Sequence, residues 1–536
     1  MNSNTTRYNK TLVGLGILLL IFILRLPSFW TPILDVDESQ FAGYANALLS
    51  GGLPFIGSVD TKPLGIYYFF AAIFYIFGKN NMLAVHIATT IVVALTALYC
   101  YFIAKKLFSY RAGIIAALFY SIFTTTYIPK FISTSIVVIM MLPITMSIYY
   151  ILSSDDIKRL RILLAGALLG IACCFKYQAG ITLCSIGIYY ILLPLIFKHT
   201  ISYKKRVLDF LVYISGMALV GAIFILHLFY LGVLDDFYFW SFQGSLAYIT
   251  AGNNFTNFPY NILIRGSSFI LSTFLIWYLG ISYSLKLIFK LFKTDKQAMP
   301  VYLIFIWFIL NIIPICVGGR FFGHYFIQIL PPLVILAAAR SEMFFDWLNS
   351  SKISLKHKIA YSLFILSLTL PAAGFFGARL LDDTIYKFVK EENPADYKPI
   401  AEYIKNNSDP SDKIFVWGFA TPIYFYSDRD SASRFLWCDW LTGRIAGSPT
   451  AQDPIFETSA FITPSSWEKF FEDLETNKPI FFIDTSPGNY HDYGKYPVSK
   501  YSALKKYLLE NYTLVKEDFG ASFYKRNDQS NMIKGD

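Results

Sequence analysis

The sequence predicts an α-helical multi-pass membrane protein that ends in a small α/β domain outside the cytoplasm. Of its 536 residues, 55% are hydrophobic and only 15% charged, where a soluble domain carries about 25% charged residues. The charge is also segregated. Residues 1–380 hold nearly all the apolar runs and carry 28 basic against 12 acidic side chains, whereas residues 381–536 carry 18 basic against 24 acidic. The net charge of +10 is therefore a basic membrane part of +16 joined to an acidic tail of −6. The bases sit in short loops between apolar runs rather than in one patch, which selects anionic lipid headgroups as their partners and argues against nucleic acid.

A helix needs about 20 residues to cross the hydrocarbon layer. Runs of that kind occupy 11–29, 82–104, 111–128, 132–152, 160–175, 178–197, 208–231, 263–289, 300–318, 322–341 and 359–378, with a shorter apolar segment at 64–78. The first run follows Arg7 and Lys10 and precedes no small-residue cleavage site, so an uncleaved first helix is expected. Five short loops are basic: Lys105-Lys106 with Arg111, Lys158-Arg159 with Arg161, Lys198 with Lys204-Lys205-Arg206, Lys286 to Lys296, and Lys352 to Lys358. The positive-inside rule places them in the cytoplasm. With the N-terminus also inside, they alternate correctly only if 64–78 is re-entrant or interfacial. The outer side then receives residues 30–63, the turn around Lys176, the loop 232–262, the turn Gly318-Gly319-Arg320 and the tail after 379.

The tail changes period. Helices are expected at 395–407, Trp467 to Leu474 and Tyr501 to Asn511, and strands at Lys413 to Trp417, Pro479 to Asp484 and Ala521 to Lys525. Alternating helices and short apolar strands give an α/β domain, so the expected division is a membrane domain over 1–380 and an extracytoplasmic domain over 381–536. Cys100, Cys173, Cys174, Cys184 and Cys316 lie in apolar runs and Cys438 stands alone in the tail, which gives neither a zinc spacing nor a disulfide framework.

The candidate chemistry gathers at the outer mouth. Asp37-Glu38 follows the first run, and a carboxylate near hydrocarbon is costly unless it has a partner or a task. Asp37 is a candidate general base, and with Glu38 a candidate ligand of a divalent cation; the plain structural alternative is a cap on a helix that begins near Ser39. Lys62 precedes Pro63 at a helix start, where free N–H groups favour an anion. Lys176 stands on the outer side, where positive-inside offers no reason for it. Arg320 and His324, four residues apart, share a helical face if the helix starts early enough, and an arginine fork matches a phosphate. Trp240, Gln243 and Tyr248 in the loop 232–262 suit a sugar face, although Trp and Tyr also form interface belts. A Walker lysine loop and a His-Glu-x-x-His pair are both missing from the sequence.

Asp37-Glu38-Ser39, Gly52-Leu53-Pro54, Lys62-Pro63, and the block Gly319 to Tyr325 ahead of Pro331-Pro332 resemble the bacterial branch of membrane glycosyltransferases related to protein O-mannosyltransferases and aminoarabinose lipid A transferases, family 39. The resemblance implies the GT-C fold, a bacterial inner (plasma) membrane location and an outward-facing site. There a hexosyl or pentosyl unit passes from a polyprenyl-phosphate-linked sugar to an envelope lipid, glycan or protein. It also implies that Asp37 is the catalytic aspartate with Glu38 in support, and that Lys62 holds the donor phosphate; Arg320 and His324 match the family's block, and their donor-phosphate role, like that of Lys176, is inferred from their charge and outer-side position. No cofactor is required by it, and a divalent metal ion remains a candidate. Gln40 stands where the aminoarabinose transferases have arginine, Thr61 where they have glutamate, and Pro63-Leu64 where related members show two prolines, which argues against lipid A aminoarabinose as substrate. The alternative function is a transporter or flippase of polyisoprenoid-linked sugar or polysaccharide, but such a protein is expected to place charges mid-span.

Overall fold

The computed structural model describes residues 3–126, 132–153, 159–197, 202–244, 258–291, 298–317, 319–350, 354–380, 397–445 and 455–527. The chain opens with helices α1 (Ser3–Arg25), α2 (Val36–Leu49), α3 (Gly65–Phe77), α4 (Met82–Leu107), α5 (Tyr110–Phe123), α6 (Ile136–Leu152) and α7 (Arg159–Phe175). Ser109 and Ser135 cap α5 and α6 by accepting from the N–H groups of Ala112 and Val138, and α4 ends on Lys105 and Lys106, cations that suit a helix C-terminus.

Among the described residues five helices are long and apolar enough to cross a membrane: Met82–Leu107, Tyr177–Ile196, Tyr203–Tyr230, Met299–Cys316 and Gly323–Leu348. A sixth arises if Pro259–Ser272 and Phe274–Lys290, bent by 91° at Thr273, count as one span. That pair occupies the run read from sequence as a continuous span at 263–289. Leu12–Ser28, Gly65–Phe77, Tyr110–Phe123 and Ile136–Leu152 are shorter apolar helices. The 13 residues of α3 rise only about 20 Å, against a hydrocarbon layer of about 30 Å.

The described chain divides into two compact units. The first comprises Met1–Leu34, Leu83–His227 and Phe258–Tyr386. Its helices meet through small residues, because lipid leaves no hydrophobic drive between them and close packing must supply the attraction. A Cβ on Gly166 of α7 would lie 1.9 Å from the Tyr213 carbonyl oxygen, and one on Gly216 would lie 2.0 Å from that of Leu163. Ser147 of α6 ties this crossing by donating to the Ala165 carbonyl at 2.7 Å and sharing a hydrogen bond with the Tyr213 hydroxyl at 2.9 Å. Leu219, Ile223, Leu226 and Phe229 of the same long helix are exposed, an apolar face suited to lipid.

The second unit comprises Asp35–Met82, Leu228–Asn257 and Lys387–Asp536. It contains a five-stranded sheet of β1 (Lys413–Trp417), β2 (Asp430–Ser431), β3 (Phe481–Asp484), β4 (Tyr512–Asp518) and β5 (Ala521–Arg526) in the order β2-β1-β3-β5-β4. β1 pairs in parallel with β2 and β3, with Phe415 opposite Phe482, while β5 runs antiparallel to β3 and β4. Ile414, Val416, Phe481, Ile483 and Phe523 form its core with Ile400 and Ile404 of the helix Tyr397–Asn406. The helices expected at Trp467 to Leu474 and Tyr501 to Asn511 appear at Ser466–Asn477 and Ser502–Asn511.

Candidate functional site

The acidic pair does not precede a helix; it lies within the first turn of one. α2 begins at Val36, three residues before the expected start near Ser39, and its cap is Asp35, whose carboxylate accepts from the Asp37 N–H at 3.1 Å. The capping task thus falls to Asp35. Glu38 is fully buried and Asp37 partly exposed, both where the helix dipole favours an anion. As neighbours on a helix their side chains diverge by about 100°, and among the described residues no group of three or more His, Cys, Asp or Glu could hold a metal ion. The pair alone does not fit a chelating site.

α2 packs on α3 through Phe41, whose ring lies 5.9 Å from Tyr67 and 5.7 Å from Phe70, and through Tyr44, stacked on Tyr67 at 3.8 Å. The buried Tyr44 hydroxyl accepts from the Phe55 N–H at 2.8 Å, anchoring the loop between the helices, and burial pushes its phenol well above the usual range. At the end of that loop Lys62 pairs with Asp60 at 2.7 Å. The Asp60 carboxylate is buried and also accepts from the Tyr67 hydroxyl at 2.5 Å and the Thr61 N–H at 2.6 Å. The ammonium of Lys62, one third exposed, stands 5.7 Å from the Phe41 ring and 5.9 Å from Trp437. Asp37 is one turn ahead of Phe41 and acts electrostatically on the Tyr67 hydroxyl.

Trp240 lies in a wide π turn, Phe239–Gln243, and is buried against Trp440 at 5.3 Å and Phe435 at 6.2 Å. It is a core residue here rather than an open sugar face. Gln243 is exposed, and Tyr248 lies outside the described residues. Trp437 and Trp440 escaped sequence reasoning; their signal was the aromatic motif Trp437-Cys438-Asp439-Trp440.

In the first unit, Lys176, Arg320 and His324 come together, but not by the expected spacing. The backbone turns at Phe321, with φ +49°, and a 3-10 helix starts only at Gly323, so Arg320 and His324 do not share an α-helical face. Contact runs instead through aromatic rings. Lys176 Nζ lies 4.4 Å from the Tyr325 ring, Tyr325 is 4.7 Å from His324, and His324 stacks on Phe322 at 5.9 Å. The guanidinium of Arg265 lies 5.0 Å from Phe322 and donates to the Arg320 carbonyl at 3.0 Å. The Arg320 side chain is buried. Arg265 belongs to a π turn, Ile262–Gly266, ahead of the 91° bend; in the sequence it was hidden inside an apolar run. Lys176, Arg265 and His324 are half-buried amid these rings, with the buried Arg320 beside Arg265, and such a group of cations can bind an anion more strongly than an open surface, because its field is less screened.

Residues 61–230 match the family model described as dolichyl-phosphate-mannose-protein mannosyltransferase. Comparison with curated protein sequences finds no significant match. Among solved structures, the fold resembles ArnT from Cupriavidus metallidurans bound to undecaprenyl phosphate, with a TM-score of 0.61, 13% identity, and coverage of 98% of this chain and 99% of that one. It also resembles the Archaeoglobus fulgidus oligosaccharyltransferase in the apo form, with a TM-score of 0.58, 13% identity, and coverage of 98% and 76%. The archaeal oligosaccharyltransferase AglB from Archaeoglobus fulgidus, in complex with an inhibitory peptide and a dolichol-phosphate, gives 0.56, 12%, 98% and 75%. The chain therefore has the GT-C fold of these membrane glycosyltransferases, and its segment 61–230 is similar to the protein mannosyltransferase family.

Proposed function

We propose that the chain is a glycosyltransferase that moves a hexosyl or pentosyl unit from a polyprenyl-phosphate donor to a hydroxyl of an envelope lipid, glycan or protein. The observation that carries the reading is the cation and aromatic cluster of Lys176, Arg265, Arg320, His324 and Tyr325, on a fold shared with a protein bound to undecaprenyl phosphate. The reaction takes place on the outer face of a bacterial plasma membrane, with residues 1–380 as the membrane domain and 381–536 outside the cytoplasm.

The acceptor oxygen attacks the anomeric carbon as the bond to the phosphate oxygen breaks, with inversion. Asp37 takes the hydroxyl proton, and the electron pair leaves with the polyprenyl phosphate. Lys176, Arg265, Arg320 and His324 hold that phosphate, and because its charge grows along the reaction coordinate, their field stabilises the transition state more than the ground state. Phosphate is already a fair leaving group, so a second carboxylate acting as general acid is not needed, unlike in hydrolases that pair two acids. Glu38, buried beside the base, supports its position. Mass spectrometry of lipid-linked sugars and envelope glycans in a deletion strain tests this: a polyprenyl-phosphate sugar accumulates while one glycan sugar disappears. An unchanged pool of both contradicts it.

A further inference from the structure

The backbone that presents Asp37 is held at both sides of one peptide unit. The Asp37 N–H donates to the Asp35 carboxylate at 3.1 Å. The carbonyl of the same unit, that of Val36, accepts from the Ser39 hydroxyl at 2.7 Å. A serine hydroxyl has a single proton, and this bond uses it. In the 2.7 Å contact between the Ser39 and Thr421 hydroxyls the donor is therefore Thr421 and the acceptor the Ser39 oxygen. Thr421 Oγ1 also stands 3.5 Å from the Val36 carbonyl oxygen. The result is a directed chain from Thr421 to Ser39 to the Val36 carbonyl, in which each bond polarises the next. Ser39 and Thr421 are 2% and 1% exposed, so water does not compete for either hydroxyl.

The sheet fixes where Thr421 stands. β1 ends at Trp417, and the chain leaves it through Gly418 at φ +143°, where a Cβ would lie 2.1 Å from the Thr485 hydroxyl oxygen; the turn requires glycine. Both backbone groups of Gly418 are tied to Cys438, the N–H to its Sγ at 3.3 Å and the carbonyl to its N–H at 3.1 Å. Three residues on, the Thr421 carbonyl accepts from the Tyr424 N–H at 3.1 Å, at the start of the helix Pro422–Ser427. A hydroxyl on so fixed a backbone is pre-organised as a donor. Other contacts hold α2 and the loops beside it against this part of the unit. A Cβ on Gly43 would lie 3.2 Å from Leu436, the Val59 N–H donates to the Arg434 carbonyl at 3.1 Å, and Lys79 pairs with Asp430 at 3.0 Å. What distinguishes the hydroxyl chain is its end point, the peptide unit that carries Asp37.

We propose that Thr421 and Ser39 are positioning residues for the base: their hydroxyl chain fixes the Val36–Asp37 peptide and, through it, the direction in which the Asp37 carboxylate meets the acceptor hydroxyl. The proposal rests on the glycosyltransferase reading above, with Asp37 as base. A displacement of about 1 Å at a reacting group costs about 100-fold in rate, whereas losing one neutral hydrogen bond shifts the folding equilibrium only about five- to tenfold. The chain therefore acts mainly on turnover.

The test uses the full chain in membranes of a strain that makes the native acceptor, with a labelled polyprenyl-phosphate sugar as donor. Valine keeps the shape of threonine and removes the hydroxyl; serine keeps the hydroxyl. Thr421→Val lowers kcat at least about tenfold with donor KM unchanged and melts within about 2 °C of wild type, while Thr421→Ser returns kcat to within about threefold. Ser39→Ala, which breaks the chain from its other side, repeats the loss, and combining it with Thr421→Val adds little. In the Asp37→Asn background Thr421→Val lowers the residual transfer no further, because the base it positions is gone. Hydrogen exchange, which needs no turnover, rises about tenfold over residues 36–41 in Thr421→Val and stays at the wild-type value over 413–417. Wild-type kcat in both Thr421→Val and Ser39→Ala, a Thr421→Ser variant no better than valine, an undiminished effect of Thr421→Val beside Asp37→Asn, or unchanged exchange over 36–41 overturns the positioning role alone. A wild type that transfers no sugar overturns the glycosyltransferase reading and the positioning role with it.

Discussion

Removing Lys62 should cost more stability than removing its partner. The Asp60 side chain is 3% exposed and that of Lys62 33%. Lys62→Met leaves a buried carboxylate with the Tyr67 hydroxyl and the N–H and hydroxyl of Thr61 but no cation, and stripping one partner from a fully buried pair costs about 3–5 kcal/mol. Because the lysine is one third exposed, part of the attraction is screened, which brings the expected cost to about 2–3 kcal/mol. Asp60→Asn leaves a lysine that can turn to water, and should cost about 1 kcal/mol. The double variant should fall short of the sum by about 1–2 kcal/mol, the coupling of the pair. Thermal unfolding of the four proteins in one detergent, followed by tryptophan fluorescence, reads the ranking. If Lys62→Met unfolds no earlier than Asp60→Asn, the buried ion pair is not what holds this loop.

Three further outcomes follow from other parts of the chain. Arg265→Gln should lower kcat/KM for the polyprenyl-phosphate sugar about 100-fold, the scale for losing one charge-stabilising donor, with acceptor KM unaltered; an unchanged donor dependence removes Arg265 from phosphate binding. Gly166→Val should abolish monodisperse elution of the detergent-extracted chain, because its Cβ would overlap the Tyr213 carbonyl oxygen at 1.9 Å, and a normal elution profile contradicts that helix crossing. Burial raises the Asp484 carboxyl above its ordinary value of 3.8, so the folded tail binds the proton more tightly than the unfolded one. Its stabilising contribution is thus present below pH 3.8 and lost as pH rises through the raised folded value. Asp484→Asn should therefore gain on wild type in melting temperature between pH 4 and neutrality, and a difference independent of pH would show that Asp484 is not buried as described.

What the sequence revealed depended on whether local pattern and tertiary contact agreed. The strands Lys413–Trp417, Phe481–Asp484 and Ala521–Arg526 were legible because nearly all their apolar residues are buried, on one or the other face of the sheet. β4 was not: Tyr512–Asp518 is mostly exposed at a sheet edge and is defined by pairing with β5 across a turn at Phe519 and Gly520, both at positive φ. The start of α2 was misplaced because three acids within four positions offer several caps, and only the geometry selects Asp35. Lys176, Arg320 and His324 stood out as charges where hydrophobicity was expected, yet the rings that join them, Phe322 and Tyr325, looked like ordinary span residues. Arg265 was concealed by hydropathy itself, since a window averaged over the span cannot register a 91° bend. Trp240 illustrates the opposite error, an aromatic read as a sugar contact that is enclosed by Trp440 and Phe435.

Asp37, in the first turn of α2, is the proposed base of the glycosyl transfer. Its most direct test is single-turnover transfer from a labelled polyprenyl-phosphate sugar by wild type and Asp37→Asn in membranes of a strain that makes the native acceptor. Because Asp35 rather than Asp37 supplies the cap, the variant should extract and melt like wild type while sugar transfer falls by at least about 100-fold, the range for loss of a general base. Transfer at the wild-type rate by a correctly folded Asp37→Asn protein would show that Asp37 is not the base.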